Sequence, residues 1–471
     1  MKYRILLILM VLSLLPAILI SATLSVKQDG SGDYTIIQEA LDAANPGDTV
    51  LVHPGRYYEN LIIDESHITL MSLEGIGGDT EYIDTTVIDG NNSNPCIIIS
   101  QLALNNVVRG LSITNGWRGG GNGGGLSMGL GSITSLINCK IFENTASTGG
   151  GIGISSSKVF LYGTSIYNNY ASMLGGGVYA SYATEVHPLH FDSINRCSIY
   201  NNRAGSGQDI YIQHVTNDLE LPLDTFSVTN PSSYHATYLT DTSSTGYRIN
   251  FDIQNAHYQE LDCDLYVSTT GSDDNDGISP NTALKTIHEA IYRVAADSLN
   301  QNTVHILPGE YSRTDNEQIL PIALKSWVIV KGAGIDTTTV ICEPHPVIPL
   351  SYGSWDTIFI AIRVDGATLA DMTFLSRDTM DCGVLFGRRN STVNLINLRI
   401  DEFFPDYNAI IRLSSSSVRE TVWDNVTIEN VVTPKAGLVN VYIPMSGTIK
   451  NCVFRNSRST YVSQSVPARS L

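Results

Sequence analysis

The amino-acid sequence predicts an all-β protein made of two tandem right-handed parallel β-helices, each opened by a short N-terminal capping helix. Three observations lead to this prediction. A short strand motif recurs roughly every 27 residues, a Gly-rich turn motif recurs in the first half, and a helix–strand–turn unit occurs twice. Repeats of this length are typical of solenoids, in which each coil stacks on the previous one.

The strand motif is a tetrapeptide with inward-facing second and fourth positions and a usually polar third position. Its last residues are Ile113, Ile141, Ile166, Ile199, Phe374, Ile400, Ile428 and Phe454. Successive spacings are 28, 25 and 33 residues in the first half and 26, 28 and 26 in the second. Alternation with a period of two indicates strands. A large apolar residue two positions before each tetrapeptide, Ile194 among them, is also expected in the core.

The first residue of each tetrapeptide is expected to turn the corner of a coil. It is Gly, Asn or Asp at every site except Arg196. Gly and Asn tolerate the left-handed backbone that a sharp corner requires. Because Asn397, Asn425 and Asn451 follow one another in this column, the sequence predicts an asparagine ladder that is hydrogen-bonded from coil to coil.

The seven cysteines are an odd number, so at least one lacks an intramolecular disulfide partner. Three of them occupy the inward slot of the tetrapeptide and are expected to be buried thiols: Cys139, Cys197 and Cys452. The pairing of the other four is left open: Cys96, Cys263, Cys342 and Cys382.

Two similar helix–strand–turn units divide the chain. The helical pattern of residues 35–44 returns 250 residues later at residues 285–294. A helix across the open end of a solenoid covers apolar residues, so two such caps predict two β-helices. We expect a signal peptide at 1–22, the first β-helix at 23–213, a closing segment without coil pattern at 214–262 and the second β-helix at 263–471. Only about one more coil fits after Phe454, so the second helix is either open-ended and paired with a partner or truncated.

The N-terminus and the overall charge indicate an exported protein. Lys2 and Arg4 precede an apolar run at residues 5–20 and small residues at 21–22, which is typical of a cleaved secretory signal peptide. No later segment is apolar enough to span a membrane. The chain has 28 Lys and Arg against 46 Asp and Glu, a net charge of −18, which excludes a nucleic-acid-binding footprint. Its expected partner is an extracellular polysaccharide or a cell surface, and acidic glycans would need a bridging cation.

The opening motif resembles that of the pectin lyase-like superfamily. Residues 29–44 are similar to the start of pectin methylesterases, and residues 266–277 to a cap of secreted β-helix proteins. The Gly-Gly-Gly-aliphatic motifs at residues 123–126, 149–152 and 175–178 resemble repeats of chlamydial polymorphic outer-membrane proteins, which are surface adhesins. The first resemblance implies a right-handed β-helix and a carbohydrate-active enzyme, and the second implies an adhesive role.

The residues that could carry chemistry are few. Gln208 and Asp209 are the candidate esterase pair, although the repeat register also places Ile210 where other coils carry the aliphatic residue after Gly-Gly-Gly. Arg388 and Arg389 are candidate lyase bases, as are Arg196 and Arg203, because a lyase removes a proton next to a carboxylate. No aligned Asp column or His metal spacing occurs.

The densest acidic run is the candidate Ca²⁺ site, since that ion prefers flexible loops of oxygen ligands. Its members are Asp273, Asp274, Asn275 and Asp276. The alternative is a solvated turn before the second cap.

Two functions therefore stay open. The first is a non-catalytic, secreted or surface β-helix that binds glycans, which is favoured because no acid/base set converges in the sequence. The alternative is a carbohydrate-active enzyme, namely a polysaccharide lyase, a glycoside hydrolase or a pectin esterase, which rests on the resemblance alone.

Overall fold

The computed structural model describes residues 21–181, 189–215, 218–240, 248–343, 356–377, 382–389, 391–403, 409–414, 420–433, 439–442 and 446–459. The basic start and apolar run of the predicted signal peptide lie outside these ranges. Within them, no helix has both the length and the apolar character needed to cross a membrane.

The strands up to residue 256 form the N-terminal coils. They are β1 (Thr23–Val26), β2 (Thr49–Val52), β3 (Gly55–Tyr57), β4 (Leu61–Ile63), β5 (Thr69–Ser72), β6 (Thr86–Asp89), β7 (Ile97–Ile99), β8 (Asn106–Arg109), β9 (Ser112–Thr114), β10 (Trp117–Asn122), β11 (Leu126–Met128), β12 (Ile133–Ile137), β13 (Lys140–Phe142), β14 (Thr145–Thr148), β15 (Ile152–Ser155), β16 (Lys158–Tyr162), β17 (Ser165–Tyr167), β18 (Tyr170–Leu174), β19 (Val178–Ser181), β20 (Leu189–Phe191), β21 (Cys197–Tyr200), β22 (Ile210–Val215), β23 (Leu219–Phe226), β24 (Ala236–Thr240) and β25 (Ile249–Ala256).

The strands from residue 265 onward form the C-terminal coils. They are β26 (Leu265–Val267), β27 (Thr303–Ile306), β28 (Gly309–Tyr311), β29 (Ile322–Ala323), β30 (Ile329–Gly332), β31 (Thr338–Cys342), β32 (Asp356–Ile362), β33 (Ala367–Ser376), β34 (Cys382–Arg388), β35 (Val393–Asp401), β36 (Ile411–Ser414), β37 (Glu420–Glu429), β38 (Val432–Thr433), β39 (Val439–Tyr442), β40 (Ser446–Lys450), β41 (Val453–Arg455) and β42 (Arg458–Ser459). The helices are α1 (Ile37–Ala43), α2 (Glu74–Gly77), α3 (Glu81–Thr85), α4 (Ile287–Arg293) and α5 (Arg313–Asn316), with one 3₁₀ turn at Pro280–Thr282.

The named strands pair in parallel, each with its counterparts in the neighbouring coils. The long sheets of the N-terminal coils run β1-β2-β5-β8-β12-β16-β20, β24-β22-β19-β15-β11-β7-β4 and β25-β23-β21-β17-β13-β9-β6-β3. The strands β10, β14 and β18 form the short sheet, and β29, β32, β34, β36 and β39 form the five-stranded sheet of the C-terminal coils. Apolar cores fill both coil sets. The predicted all-β parallel β-helix, with a helix at the start of each coil set, is confirmed.

The repeat register predicted most core positions correctly. Ile113, Ile141, Ile166 and Ile199 are fully buried. Ile449 and Phe454 are exceptions near the C-terminus, with 62% and 54% of their surfaces exposed, and Ile194 is the exception in the coil that contains Arg196, with 87% exposed. The strand of that coil lies earlier in the chain, at β20, where Phe191 pairs with Leu161. The long connection before Arg196 therefore displaced the predicted strand, and Arg196 also lacks the left-handed backbone of the other corners.

One of the two steps of the predicted asparagine ladder is present, between Asn397 and Asn425. Asn397 donates from its Nδ2 to Asp371 at 2.6 Å, and Asn425 donates to Asn397 at 2.7 Å. Asn451 donates to Asp424 instead, at 3.0 Å. All seven cysteines lie in the described ranges, and none forms a disulfide.

The segment at 214–262 contains coils, contrary to the expectation. Strands β23 and β25 extend one long sheet of the N-terminal coils, and β24 extends another. The repeat was not recognised in the sequence because these strands are longer and their pairing register is irregular. The two coil sets share a buried contact, so their division into two separate tandem helices stays a prediction.

We call this contact the joint, formed by Asp209, Ser227 and Tyr234 of the N-terminal coils with Tyr292 and Lys325 of the C-terminal coils. The Tyr292 hydroxyl lies 2.5 Å from Ser227 Oγ and donates to Asp209 Oδ2 at 3.4 Å. The Lys325 ammonium lies 5.1 Å from the centre of the Tyr234 ring.

Candidate functional site

An outward-facing column crosses the short sheet, which we call the outward column. Trp117, Thr145, Tyr170 and Arg203 occupy equivalent places in four successive coils. Because side chains alternate along a strand, the residue after each of the last three points inward, and Ala146, Ala171 and Ala204 are buried accordingly. The column therefore displays two aromatic rings and one cation on the surface of the N-terminal coils.

The column ends in a cleft where the two coil sets meet. The cleft is narrow, with a cavity volume of about 10 Å³, and is lined by Tyr170, Arg203 and Gln208 on one side and by His288 and Ile360 on the other. The guanidinium carbon of Arg203 lies 5.4 Å from the centre of the Tyr170 ring. A cation at this distance is attracted to the ring face, so Tyr170 orients Arg203 at the cleft.

The described residues that line the cleft provide a positive charge but no negative one. Burial lowers the pKa of Arg203, and no carboxylate of the described residues forms an ion pair with it. Burial and the nearby Arg203 charge lower the pKa of His288 to about 3, so its imidazole is neutral. His288 is only 4% exposed, and its Nδ1 has no hydrogen-bond partner among the described residues. The lining residues include no Asp or Glu.

A second narrow cleft, with a cavity volume of about 20 Å³, adjoins the first and includes Tyr234, Ser326 and Arg363 in its lining. Gly205 lines both clefts. A Cβ atom at Gly205 would lie 2.7 Å from the Cδ1 atom of Ile362. A side chain there would therefore push the coil sets apart, so glycine permits their close approach.

The Gln208 and Asp209 side chains both have structural hydrogen-bond partners. The Gln208 side chain is hydrogen-bonded to the backbone N–H and C=O of Ala204, which closes a turn at the cleft. Asp209 is fully buried and ends an internal ladder in which Asn202 donates to its Oδ1 at 3.0 Å. Ile210 pairs with Val178, as the repeat register predicted. Asp209 is therefore a ladder terminus within the joint, out of reach of a polymer.

Arg388 and Arg389 lie outside the cleft, at the end of β34. Arg389 donates to the Tyr211 hydroxyl of the N-terminal coils at 2.5 Å. The guanidinium of Arg388 lies 5.8 Å from the centre of the Phe386 ring, and Arg412 approaches the same ring at 5.9 Å. Burial, together with the charges of Arg389 and Arg412, lowers the pKa of Arg388.

The acidic run holds the start of α4. Asp273 Oδ1 accepts hydrogen bonds from the backbone N–H groups of Lys285 and Thr286, both at 2.9 Å. Asn275 donates to the carbonyl of Ala283, and Asp276 accepts from a backbone N–H two residues later. The remaining member, Asp274, is hydrogen-bonded to Ser272. In the described ranges, no group of three or more His, Cys, Asp or Glu side chains is arranged to hold a metal ion.

The sequence pattern identified Arg203 as a candidate but not Tyr170 or His288. A signal for the column was available, since Asn144, Asn169 and Asn202 form the internal ladder and a column residue follows each of them. His288 carries no such signal, because its place depends on how the coil sets dock.

The chain was compared with known proteins. No protein-family model matches it, and the curated proteins contain no match. Among solved structures, it is similar to a PL6 family alginate lyase, AlyGC, with 9% identity and a TM-score of 0.20 over 92% of this chain and 80% of that chain. An arginine-to-alanine mutant of the same lyase aligns with 10% identity and a TM-score of 0.17, over 93% and 80%. Similarity at this level does not assign a family.

Proposed function

We propose that the protein is an exported carbohydrate-active enzyme that cleaves an acidic polysaccharide by β-elimination in the cleft between the coil sets. The observation that carries the proposal is the Arg203 guanidinium, stacked on Tyr170 in a cleft whose lining lacks carboxylates. This arrangement suits a ligand that brings its own negative charge.

The same observation separates the three enzymatic alternatives. Glycoside hydrolases typically use two carboxyl groups that flank the scissile bond, and the cleft lining provides neither. A lyase instead needs a cation that stabilises charge developing on the uronate carboxylate and a group that removes the neighbouring proton. We assign the first role to Arg203 and the second to Tyr170 in its phenolate form. The Tyr170 phenolate takes the proton from C5, the C4–oxygen bond breaks as a C4–C5 double bond forms, and the departing oxygen takes that proton from Tyr170.

His288 contributes a neutral hydrogen-bonding group from the opposite wall. Its unpartnered Nδ1 is available to a sugar hydroxyl, which can donate to it. The two walls come from different coil sets, so a bound sugar would contact both.

Variants at Arg203 and Tyr170 test the proposal. The wild type is incubated with polygalacturonate, alginate and neutral glycans, with and without Ca²⁺, and unsaturated ends are measured by ultraviolet absorbance. Arg203→Gln and Tyr170→Phe should each reduce the rate at least about 100-fold. Arg196→Gln is the matched control, because Arg196 lies in the same coil but pairs with Asp252 at 2.6 Å. Reducing ends without unsaturation, or equal activity in all variants, would overturn the proposal.

A second candidate function is non-catalytic glycan binding, favoured by the part of the outward column beyond the cleft. Trp117 and Thr145 continue the row away from Arg203, and aromatic rings on a flat surface suit sugar faces. Affinity electrophoresis of Trp117→Ala in glycan-containing gels tests it. Lost retardation in that variant, together with no product from the wild type, would favour binding over cleavage.

A further inference from the structure

Three arginines converge on the outer face of the five-stranded sheet, and we call them the arginine cluster: Arg388, Arg389 and Arg412. Aromatic rings orient all three. Arg388 and Arg412 approach the Phe386 ring, and Arg389 lies 5.7 Å from the centre of the Tyr211 ring while it donates to the hydroxyl of that ring. Guanidinium groups held in this way lose little side-chain freedom when they bind an anion.

This convergence is unusual for an acidic chain with a net charge of −18. Like charges at close range repel one another, and each of Arg389 and Arg412 lowers the pKa of Arg388. No carboxylate of the described residues forms an ion pair with Arg388 or Arg389. Guanidinium groups bind carboxylate or sulfate through paired hydrogen bonds, so an external anion would relieve the repulsion.

One member of the arginine cluster, Arg412, lies on the same row of the sheet as the cleft wall, and Arg388 lies on the row of Ile362. Ile360, which lines the cleft, pairs with Phe386, and Phe386 pairs with Arg412 on the next strand. Two strand spacings correspond to about 10 Å. A ligand that reached both sites would therefore need more than one sugar unit.

We propose that the arginine cluster is a second binding site for the carboxylate groups of an acidic polysaccharide, and that it holds a part of the polymer next to the part in the cleft. The inference deepens the proposed function and rests on the same class of ligand.

Calorimetric titration with polygalacturonate tests the arginine cluster. The variant is Arg388→Gln with Arg389→Gln. The matched control is Arg399→Gln with Arg455→Gln, which removes the same charge from arginines that pair with Asp336 at 3.0 Å and Glu429 at 2.6 Å. We expect at least about tenfold weaker binding and a shallower salt dependence for the variant alone. Binding of monomeric galacturonate should be unchanged, because a single sugar unit cannot reach both sites.

Separate outcomes distinguish the two proposals. Equal polymer affinity for variant and control would overturn the second site while leaving cleavage in the cleft intact. Weaker binding in the variant without any unsaturated product from the wild type would support the second site and overturn the lyase. Binding of dextran sulfate but not polygalacturonate would overturn the assignment to carboxylate groups.

Discussion

The two capping helices begin their coil sets in the same way but have different surroundings. In α1, only Ile37, Ala40 and Leu41 are buried, and the face directed away from the coils is exposed. In α4, every residue except Arg293 is buried. The first helix is an end cap, whereas the second is enclosed between its own coils and the N-terminal coils.

Matched positions show what changed between the two helices. Asp42 of α1 is exposed, whereas Tyr292, 250 residues later, is fully buried in the joint. Lys325 reinforces this joint, since its fully buried ammonium pairs with Glu260 at 2.6 Å and donates to the carbonyl of Val294 at 2.7 Å. The same capping helix can therefore close a solenoid or join it to another one, depending on the residues on the helix face that is directed away from its own coils.

Substitution of Tyr292 should have the largest effect. Tyr292→Ala removes a fully buried ring from the joint, so we expect the free energy of unfolding to fall by about 4 kcal/mol. The matched variant Asp42→Ala should change it by less than about 0.5 kcal/mol. Urea denaturation followed by circular dichroism measures both. Equal losses would mean that α4 stabilises the chain no more than an exposed end cap does.

The repeating parts of the structure could be predicted from the sequence, whereas the contact between the two coil sets could not. The fold class, most of the core column and the start of both helices follow from periodicity, because each coil meets the same neighbours above and below. The coil containing Ile194 and the strands of residues 214–262 escaped detection, since long connections and uneven spacing break the period. The cleft could not be predicted from the repeats at all. Arg203 and His288 come from separate coil sets, and nothing in a repeat register encodes the contact between them.

Disruption of the buried ion pair of the joint should cause the next largest loss in the free energy of unfolding. Lys325→Met leaves Glu260 and the Val294 carbonyl without their partner, and breaking a buried pair costs about 3 kcal/mol. Lys285→Met provides the control, because Lys285 forms an ion pair with Glu317 at 2.7 Å at the surface, which is worth less than about 1 kcal/mol. Thermal unfolding of both variants gives the ranking. A smaller loss at Lys325 than at Lys285 would contradict a stabilising joint.

The joint should also make stability depend on pH. Burial raises the pKa of Asp209 to about 7, whereas the same carboxyl group in an unfolded chain has a pKa of about 3.9. The folded chain therefore binds one more proton between these values. The resulting stabilisation is complete below about pH 4 and is lost as the pH rises through about 7, by at most about 1.4 kcal/mol per pH unit.

Asp209→Asn removes this titration, so the variant should lack the decline that the wild type shows across this pH range. Other groups titrate in both proteins, and the difference between their unfolding free energies isolates Asp209. The exposed control Asp42→Asn should follow the wild-type curve. Parallel curves for Asp209→Asn and the wild type would place the titration elsewhere.

The smallest effect is expected where the two caps are alike. Glu59 accepts hydrogen bonds from the backbone N–H groups of Ile37 and Gln38, both at 2.9 Å, and Asp273 serves the start of α4 in the same way. Glu59→Ala and Asp273→Ala should therefore each cost about 1 kcal/mol, by thermal unfolding, in the presence of either Ca²⁺ or a chelator. A larger loss at Asp273 that appears only with Ca²⁺ would show that the acidic loop binds the ion. Equal losses would place the difference between the caps on their outer faces, where Asp42 meets solvent and Tyr292 meets the joint.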